Sequence, residues 1–596
     1  MTLLFAYLKP YKGRLLLLGL LLAASIALQL LAPQIIRRFL DAAQAGAAAR
    51  QLLGVAGLFF AAVLGQKVVE LGSVYVGQDL GWATTNRLRQ DLTAHVLNLD
   101  MGFHKLRPAG ELIERIDGDV SLLAGAFSSF VVQVLGNSLL ALGIVLLLFR
   151  ETTAVGLVAV AYAALILLFV RVTHSWTVRF VSRVRQALAA LFGYLEERLV
   201  GTEDIRGVGA ESYVMARLYP LLAETERARV RNDVLGGFTF HGRRLLSVLA
   251  FVLTLALGAG AFLRGEMTIG TVFLLVLYVN NLDRPLREIH RQMHSLQHAL
   301  AGGQRVQELF AMQPQVKDTG TETLPPGPLA VHFDNVTFTY RDRPEQGEEE
   351  STTALNDVTV TLPAGHVLGV LGRTGSGKTT LTRLLFRLYD VDHGAVRLGS
   401  GDKAGDAGVV DIRDVPLAQL QQRVGLVTQD VELFAASVRH NLTLFRQAES
   451  VAESTTDSTL LSALETLGLR PWLDSLPQGL DTMLGPGGYG LSAGEAQLLA
   501  LARVFLRDPN VVVLDEPSSR LDPQTEQRLE RAMDRLLQGR TGIIIAHRLQ
   551  TVQRADEILI LEDGRVVEFG PRRALAQDPD SRFAALLRVG LQEALA

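Results

Sequence analysis

Six apolar stretches, at residues 15–33, 52–76, 122–149, 154–170, 245–263 and 269–282, dominate the first half of the chain. Most approach the ~20 residues that cross ~30 Å of hydrocarbon, which predicts six membrane-spanning helices. Short polar breaks at 41–51, 150–153 and 264–268 alternate with long, arginine-rich connections at 78–121 and 171–244. Lys9, Lys12, Arg14 and both long connections therefore fall on one side, the cytosolic one by the positive-inside bias. Helix-period apolar spacing with few breakers runs through these connections, so the spans should continue as helices well into the cytosol, with separate soluble subdomains as the alternative. The first stretch reads as an uncleaved span and not a signal peptide, because its apolar run continues through Leu28, Leu30 and Leu31, past Ala23, Ala24 and Ala27.

The pattern changes at residues 318–329, where Thr321, Glu322, Thr323, Pro325, Pro326, Gly327 and Pro328 make a composition that neither a helix nor a central strand tolerates. From residue 331 short β-branched runs alternate with helical ones, as in a soluble α/β domain. The expected organisation is an α-helical transmembrane domain at 1–317, a linker at 318–330 and an α/β P-loop domain at 331–596. Residues 341–353 and 399–408 read as exposed hairpin turns. Within the long connections, 101–119 and 201–211 are candidates for short helices at hairpin tips.

Composition agrees: 48% of the 596 residues are hydrophobic and the mean hydropathy is +0.24, high for a soluble protein. A formal net charge of -3 supplies no basic field of the kind nucleic-acid binding needs, so no nucleic-acid partner is expected. Cysteine is absent, which excludes disulfides, thiolate metal sites and thiol redox chemistry. The spans are aliphatic, with no strongly acidic or basic lining evident, compatible with hydrophobic drugs, lipids or peptides as substrates. A lone charge at mid-bilayer costs about 3 kcal/mol, so Lys67 should face the interior or a wet cavity and pair with Glu70 at i+3.

The chemistry concentrates in the second half. Gly372-Arg373-Thr374-Gly375-Ser376-Gly377-Lys378-Thr379 fits G-x-x-x-x-G-K-[ST] between a strand-like run and a helical one. Its glycines let backbone N–H groups point at one anion, Lys378 reaches the outer phosphates of a nucleoside triphosphate, and the Thr379 hydroxyl can ligate Mg²⁺. Further on, the apolar run 511–514 ends in Asp515 and Glu516, suited respectively to supporting Mg²⁺ and to taking a proton from the attacking water. Gln429 follows one strand-like run and can touch metal and water; His547 follows another and can contact the γ-phosphate. All sit at strand C-terminal ends, where α/β sheets place their ligands.

These residues resemble the ATP-binding cassette exporters, in which six membrane helices precede one nucleotide-binding domain. The most specific element is Leu491-Ser492-Ala493-Gly494-Glu495, similar to that family's Leu-Ser-Gly-Gly-Gln signature and lying before Leu514-Asp515-Glu516. The resemblance implies an ATP hydrolase coupled to transport. It gives Tyr340 the adenine-stacking role, Gly372, Thr374, Gly375, Ser376, Gly377, Lys378, Thr379 and Thr380 the phosphate loop, and Gln429 the Q-loop glutamine. Asp515 becomes the Mg²⁺-supporting acid, Glu516 the general base, Ser519 to Asp522 the D-loop and His547 the switch histidine, while 101–110 and 201–211 become coupling helices. Two cassettes close head to tail over two ATP molecules, so Ser492 and Gly494 address the partner's nucleotide. Ala493 and Glu495 depart from the signature, and Pro486 stands where exporters commonly carry an acid. With Glu516 and His547 intact, the departures imply a heterodimer with one competent site, a homodimer being the alternative. The implied setting is a multi-pass protein of a bacterial inner membrane that moves a small hydrophobic or amphipathic substrate by alternating access. An ATP-gated channel or regulator is the rival reading.

Overall fold

The apolar stretches of the first half lie in helices, most of them far longer than a bilayer requires. They are α1 (Lys12–Gln44), α2 (Ala49–Leu97), α4 (Gly136–Glu151), α5 (Thr153–Val200), α7 (Glu211–Leu263) and α8 (Ile269–Ala311), with the short helices α3 (Met101–Leu106) and α6 (Thr202–Gly207) at two hairpin tips. The computed structural model describes residues 6–342, 350–401, 405–406, 408–428, 431–444, 456–485, 491–515, 523–546 and 549–589. By contacts the chain forms two units, Met1–Leu97 with Gly110–Ala311, and Asn98–Ala109 with Met312–Ala596.

In the first unit α2, α5 and α7 have 49, 48 and 53 residues, about 70 to 80 Å each at 1.5 Å per residue. The arginine-rich connections are thus helical extensions of the spans and not separate subdomains. Leu16, Leu20, Phe60 and Leu71 are exposed, as lipid-facing residues of membrane helices should be. The stretch at 122–149 is interrupted by a π-helical turn at Phe130–Leu135, and another spans Glu114–Asp119. Among the described residues five helices are long and apolar enough to cross a membrane. The predicted sixth span, 269–282, is the apolar head of α8; Asp283, Arg284, Arg287, Glu288 and Arg291 follow it on the same helix. Charges at that position need protein or water around them.

Lys67 Nζ lies 2.8 Å from Glu70 Oε2, the expected i,i+3 pair, and Arg284 approaches the other carboxylate oxygen at 3.9 Å. Lys67 itself is exposed, so within one chain it does not face the interior, the first of the two settings expected for it.

The second unit is built on two sheets. A four-stranded antiparallel sheet has the order β2-β1-β4-β5, from β1 (Ala330–Asp342), β2 (Glu350–Leu362), β4 (His393–Gly399) and β5 (Val409–Asp411). A six-stranded sheet has the order β10-β9-β3-β8-β7-β6, from β3 (Val367–Leu371), β6 (Val424–Val427), β7 (Val511–Asp515), β8 (Thr541–Ile545), β9 (Glu557–Glu562) and β10 (Arg565–Pro571). Strands β9, β3, β8, β7 and β6 run parallel, and both faces of this sheet are covered, which explains the unbroken apolar runs of its strands. Val511, Val513, Ile543 and Ile545 face the antiparallel sheet and helix α9 (Lys378–Leu385), while Val512, Leu514 and Ile544 pack on helices α10 (Ala493–Phe505) and α11 (Pro523–Leu537).

Residues 318–329 form neither helix nor strand, yet they do not hang free. Glu322 N donates to Asp414 O at 2.8 Å, Leu417 N donates to the Asp318 carboxylate at 2.9 Å, and Leu324 is buried. Their backbone is threaded along the cassette surface.

Candidate nucleotide site

Strand β3 delivers the phosphate loop and α9 receives it. The loop closes on itself through backbone geometry that only glycine accepts without strain. Gly375 has φ +85° with nothing within 4 Å of a built Cβ, so its backbone faces open space where a phosphate oxygen can approach. At Gly377, with φ +102°, a Cβ would collide with Ala354 O at 2.6 Å. Lys378, 6% exposed, donates to the carbonyls of Gly372 at 2.6 Å and Arg373 at 2.9 Å, holding its ammonium across the loop. Ser376 Oγ is buried, and among the described residues it has no hydrogen-bond partner. A buried hydroxyl without a partner beside a backbone concavity and a buried ammonium fits an anion that accepts hydrogen bonds. Thr379 is exposed at the first turn of α9, which suits a hydroxyl that would meet a divalent cation.

Tyr340 reaches the same helix from β1. Its hydroxyl lies 3.3 Å from Thr380 Oγ1 and accepts from Arg383 Nη1 at 3.3 Å, while Phe338 and Tyr389 meet its ring edge-on at 4.9 and 5.5 Å. Over the ring, 4.8 Å from its centroid, stands Lys105 Nζ of α3. That helix is fixed by Asp100, whose carboxylate accepts from the backbone N–H groups of Gln315 and Val316. The first predicted coupling helix is therefore packed within the cassette unit. The second, α6, forms over Thr202–Gly207 within the 201–211 stretch.

Asp515 ends β7, and the ladders Val370↔Ile545 and Asp515↔Ile545 bring its strand and β3 to the same edge of the sheet. Gln429, Glu516, Asp522 and His547 lie outside the described residues, as do Ser519 and Pro486. Their neighbours Thr428, Asp515 and Ala546 follow or end adjacent parallel strands at that edge. Ser492 and Gly494 are not brought to the loop: among the described residues no hydrogen bond joins either to residues 372–380.

Ser492 instead caps α10. Its hydroxyl accepts from Glu495 N at 3.3 Å, and the Glu495 carboxylate accepts from both the backbone N–H and the hydroxyl of Ser492 at 2.8 and 2.9 Å. The glutamate that departs from the signature thus completes a capping box, recognisable from Ser-x-x-Glu alone. It also occupies the two donors that Ser492 would otherwise turn to an anion. Farther along α10, burial pulls the pKa of Arg503 below the ordinary guanidinium value. This side chain donates to the carbonyls of Glu432 and Asn441 and to Asn441 Oδ1, tying the segment after Gln429 to the signature helix.

A second concavity lies in the first unit. A cavity of about 770 Å³ opens among α5, α7 and α8, with Phe169, Thr173, Arg185, Phe240, Arg243 and His298 among its walls. Its cations, Arg185 and Arg243, come from the helical extensions beyond the apolar stretches, so the spans themselves keep the aliphatic character expected of them.

Residues 15–286 match the family model described as ABC transporter transmembrane region, and residues 355–519 the one described as ABC transporter. The chain is 28% identical over 567 residues to the uncharacterized ABC transporter ATP-binding protein YfiC of Bacillus subtilis, covering 95% of this chain and 90% of that one. It is 29% identical over 565 residues to an ATP-dependent lipid A-core flippase of Chromohalobacter salexigens, covering 94% and 93%. A solved bacterial Atm1-family ABC exporter with ATP bound is similar throughout, with TM-score 0.74, 25% identity and 98% of both chains covered.

Proposed function

The chain belongs to the ATP-binding cassette transporters, a multi-pass membrane protein whose cytoplasmic ATPase domain couples hydrolysis to transport, and from that premise we propose that it exports a hydrophobic or amphipathic substrate by alternating access. The observation that carries this reading is the phosphate cradle, with its partnerless Ser376 hydroxyl and open Gly375 backbone, on the same chain as the membrane helices. Fusion of the two parts favours export. Similarity to proteins named lipid A-core flippases agrees with an amphipathic, lipid-like cargo.

The cofactors are ATP and Mg²⁺. Tyr340 would stack on adenine, residues 372–380 would hold the phosphates, and Thr379, Gln429 and Asp515 would surround the metal, which when bound offsets phosphate charge. Glu516 would take the proton from the attacking water, with His547 at the γ-phosphate. Ser492 and Gly494 would close the nucleotide bound to a second half-transporter, and Asp522 would lie at the same junction. Ala493 and Glu495 weaken that closure, which supports a heterodimer with one competent site. Purified by itself, this chain should hydrolyse ATP weakly; robust turnover by a dimer of identical subunits would remove the asymmetric arrangement.

Reconstitution of the complex in proteoliposomes tests export against gating. A panel of amphipathic dyes and fluorescent lipids should include one that accumulates against its gradient with ATP and not with a non-hydrolysable analogue. Movement only down the gradient would mean a channel.

Glu495→Gln should tighten ATP binding at the site this signature closes. Glutamine keeps the capping geometry but removes a negative charge near a bound anion, an effect of about 1 kcal/mol or roughly fivefold in Kd for ATP at that site. An unchanged Kd would mean that the capping box alone accounts for Glu495.

A further inference from the structure

The cavity among α5, α7 and α8 has the chemistry of a lipid-headgroup site. Its walls on α5 run from Phe169, at the end of the apolar stretch 154–170, to Arg185; those on α7 precede the stretch that begins at Leu245. The cavity therefore straddles the level at which membrane helix gives way to arginine-rich extension, where headgroups of the cytosolic leaflet lie. Arg185, Arg243 and His298 line it, and no Asp or Glu does among the described lining residues. Neither arginine takes part in an ion pair among the described residues. Arg243 stands 5.8 Å from the centroid of the Phe240 ring, which holds the guanidinium without neutralising it. Thr173 is buried among these walls, and Phe169 packs so close to α7 that a Cβ on Gly242 would meet its Cζ at 2.7 Å. Two arginines lining one space suit a phosphate, because their planar forks bind its oxygens in pairs. The volume of about 770 Å³ falls within the usual ~300–1,000 Å³ of ligand pockets and leaves room for part of an acyl chain beside the headgroup.

We propose that this cavity, formed within a single subunit, binds an anionic amphiphile of the cytosolic leaflet through a phosphate on Arg185 and Arg243, with its chain along Phe169 and Phe240. Its role as an entry site for cargo rests on the exporter reading; the binding itself does not. The site is repeated in each copy of this chain and does not require a partner's helices.

Native mass spectrometry of the intact complex, without ATP, tests this with three probes: lysophosphatidic acid, lysophosphatidylcholine of the same chain, and inorganic phosphate. Lysophosphatidic acid should bind once per copy of this chain, at least tenfold tighter than lysophosphatidylcholine, and excess inorganic phosphate should not displace it. The double variant Arg185→Gln, Arg243→Gln should lose that preference, while Arg185→Lys, Arg243→Lys should keep most of it and so control for folding. Equal affinity for the two lipids, a preference that survives the glutamine variant, a lysine variant as impaired as the glutamine one, or displacement by inorganic phosphate would each overturn the proposal. So would a single lipid shared between two copies of this chain. Absence of ATP-driven movement in proteoliposomes, with binding intact, would instead overturn the exporter reading.

Discussion

Lys378→Ala is expected to weaken ATP binding by about ten- to a hundredfold, the loss of a charge-assisted interaction worth roughly 1.5–3 kcal/mol. The lysine is nearly buried and its ammonium lies across the loop on the carbonyls of Gly372 and Arg373. Removing it takes away both the positive charge offered to the outer phosphates and the tie that shapes the loop. Equilibrium binding of a fluorescent ATP analogue checks this directly. Binding at parental affinity would mean that the backbone cradle alone holds the nucleotide.

Glu516→Gln separates binding from chemistry. A positioned base contributes typically 10²–10⁴-fold, so hydrolysis should fall by at least about a hundredfold while ATP affinity stays within a few-fold of the parent. The two variants thus differ in kind: one lowers occupancy, the other leaves an occupied site that does not turn over. Phosphate release measured at saturating ATP, beside the binding titration, tells them apart. Hydrolysis at the parental rate would remove Glu516 from the base role.

The glycine loop between β3 and α9 was legible because its parts are local. A phosphate loop needs glycine where φ is positive, at 375 and 377, and a lysine at the first turn of the following helix, and these demands fall within eight consecutive residues. The doubly covered sheet was legible for a related reason: strands buried on both faces carry unbroken Val and Ile runs such as 511–514. The long helices followed from apolar periodicity that persisted past each span. What was not legible arises from distance along the chain. The cavity draws its walls from residues 169–185, 239–243 and 298, none of which forms a motif. Membrane patterning draws attention to the spans, whereas these cations lie in the extensions. The sixth span, too, is less apolar than its first 14 residues suggest, because the charges that follow Leu282 share its helix. Compared with the signature, Glu495 reads only as a departure, although Ser492-x-x-Glu495 also carries the local pattern of the helix cap that it forms.

Because Met101–Leu106 is part of the cassette's own packing, the ATPase does not begin at the linker. A fragment cut to start after Ala311 would lack the ammonium above Tyr340 and the carboxylate that clasps Gln315 and Val316. Nucleotide affinities measured on such an excised piece would describe a cassette with a bared Tyr340 ring, and grafting this cassette onto foreign membrane helices would need to carry residues 98–109 along with it.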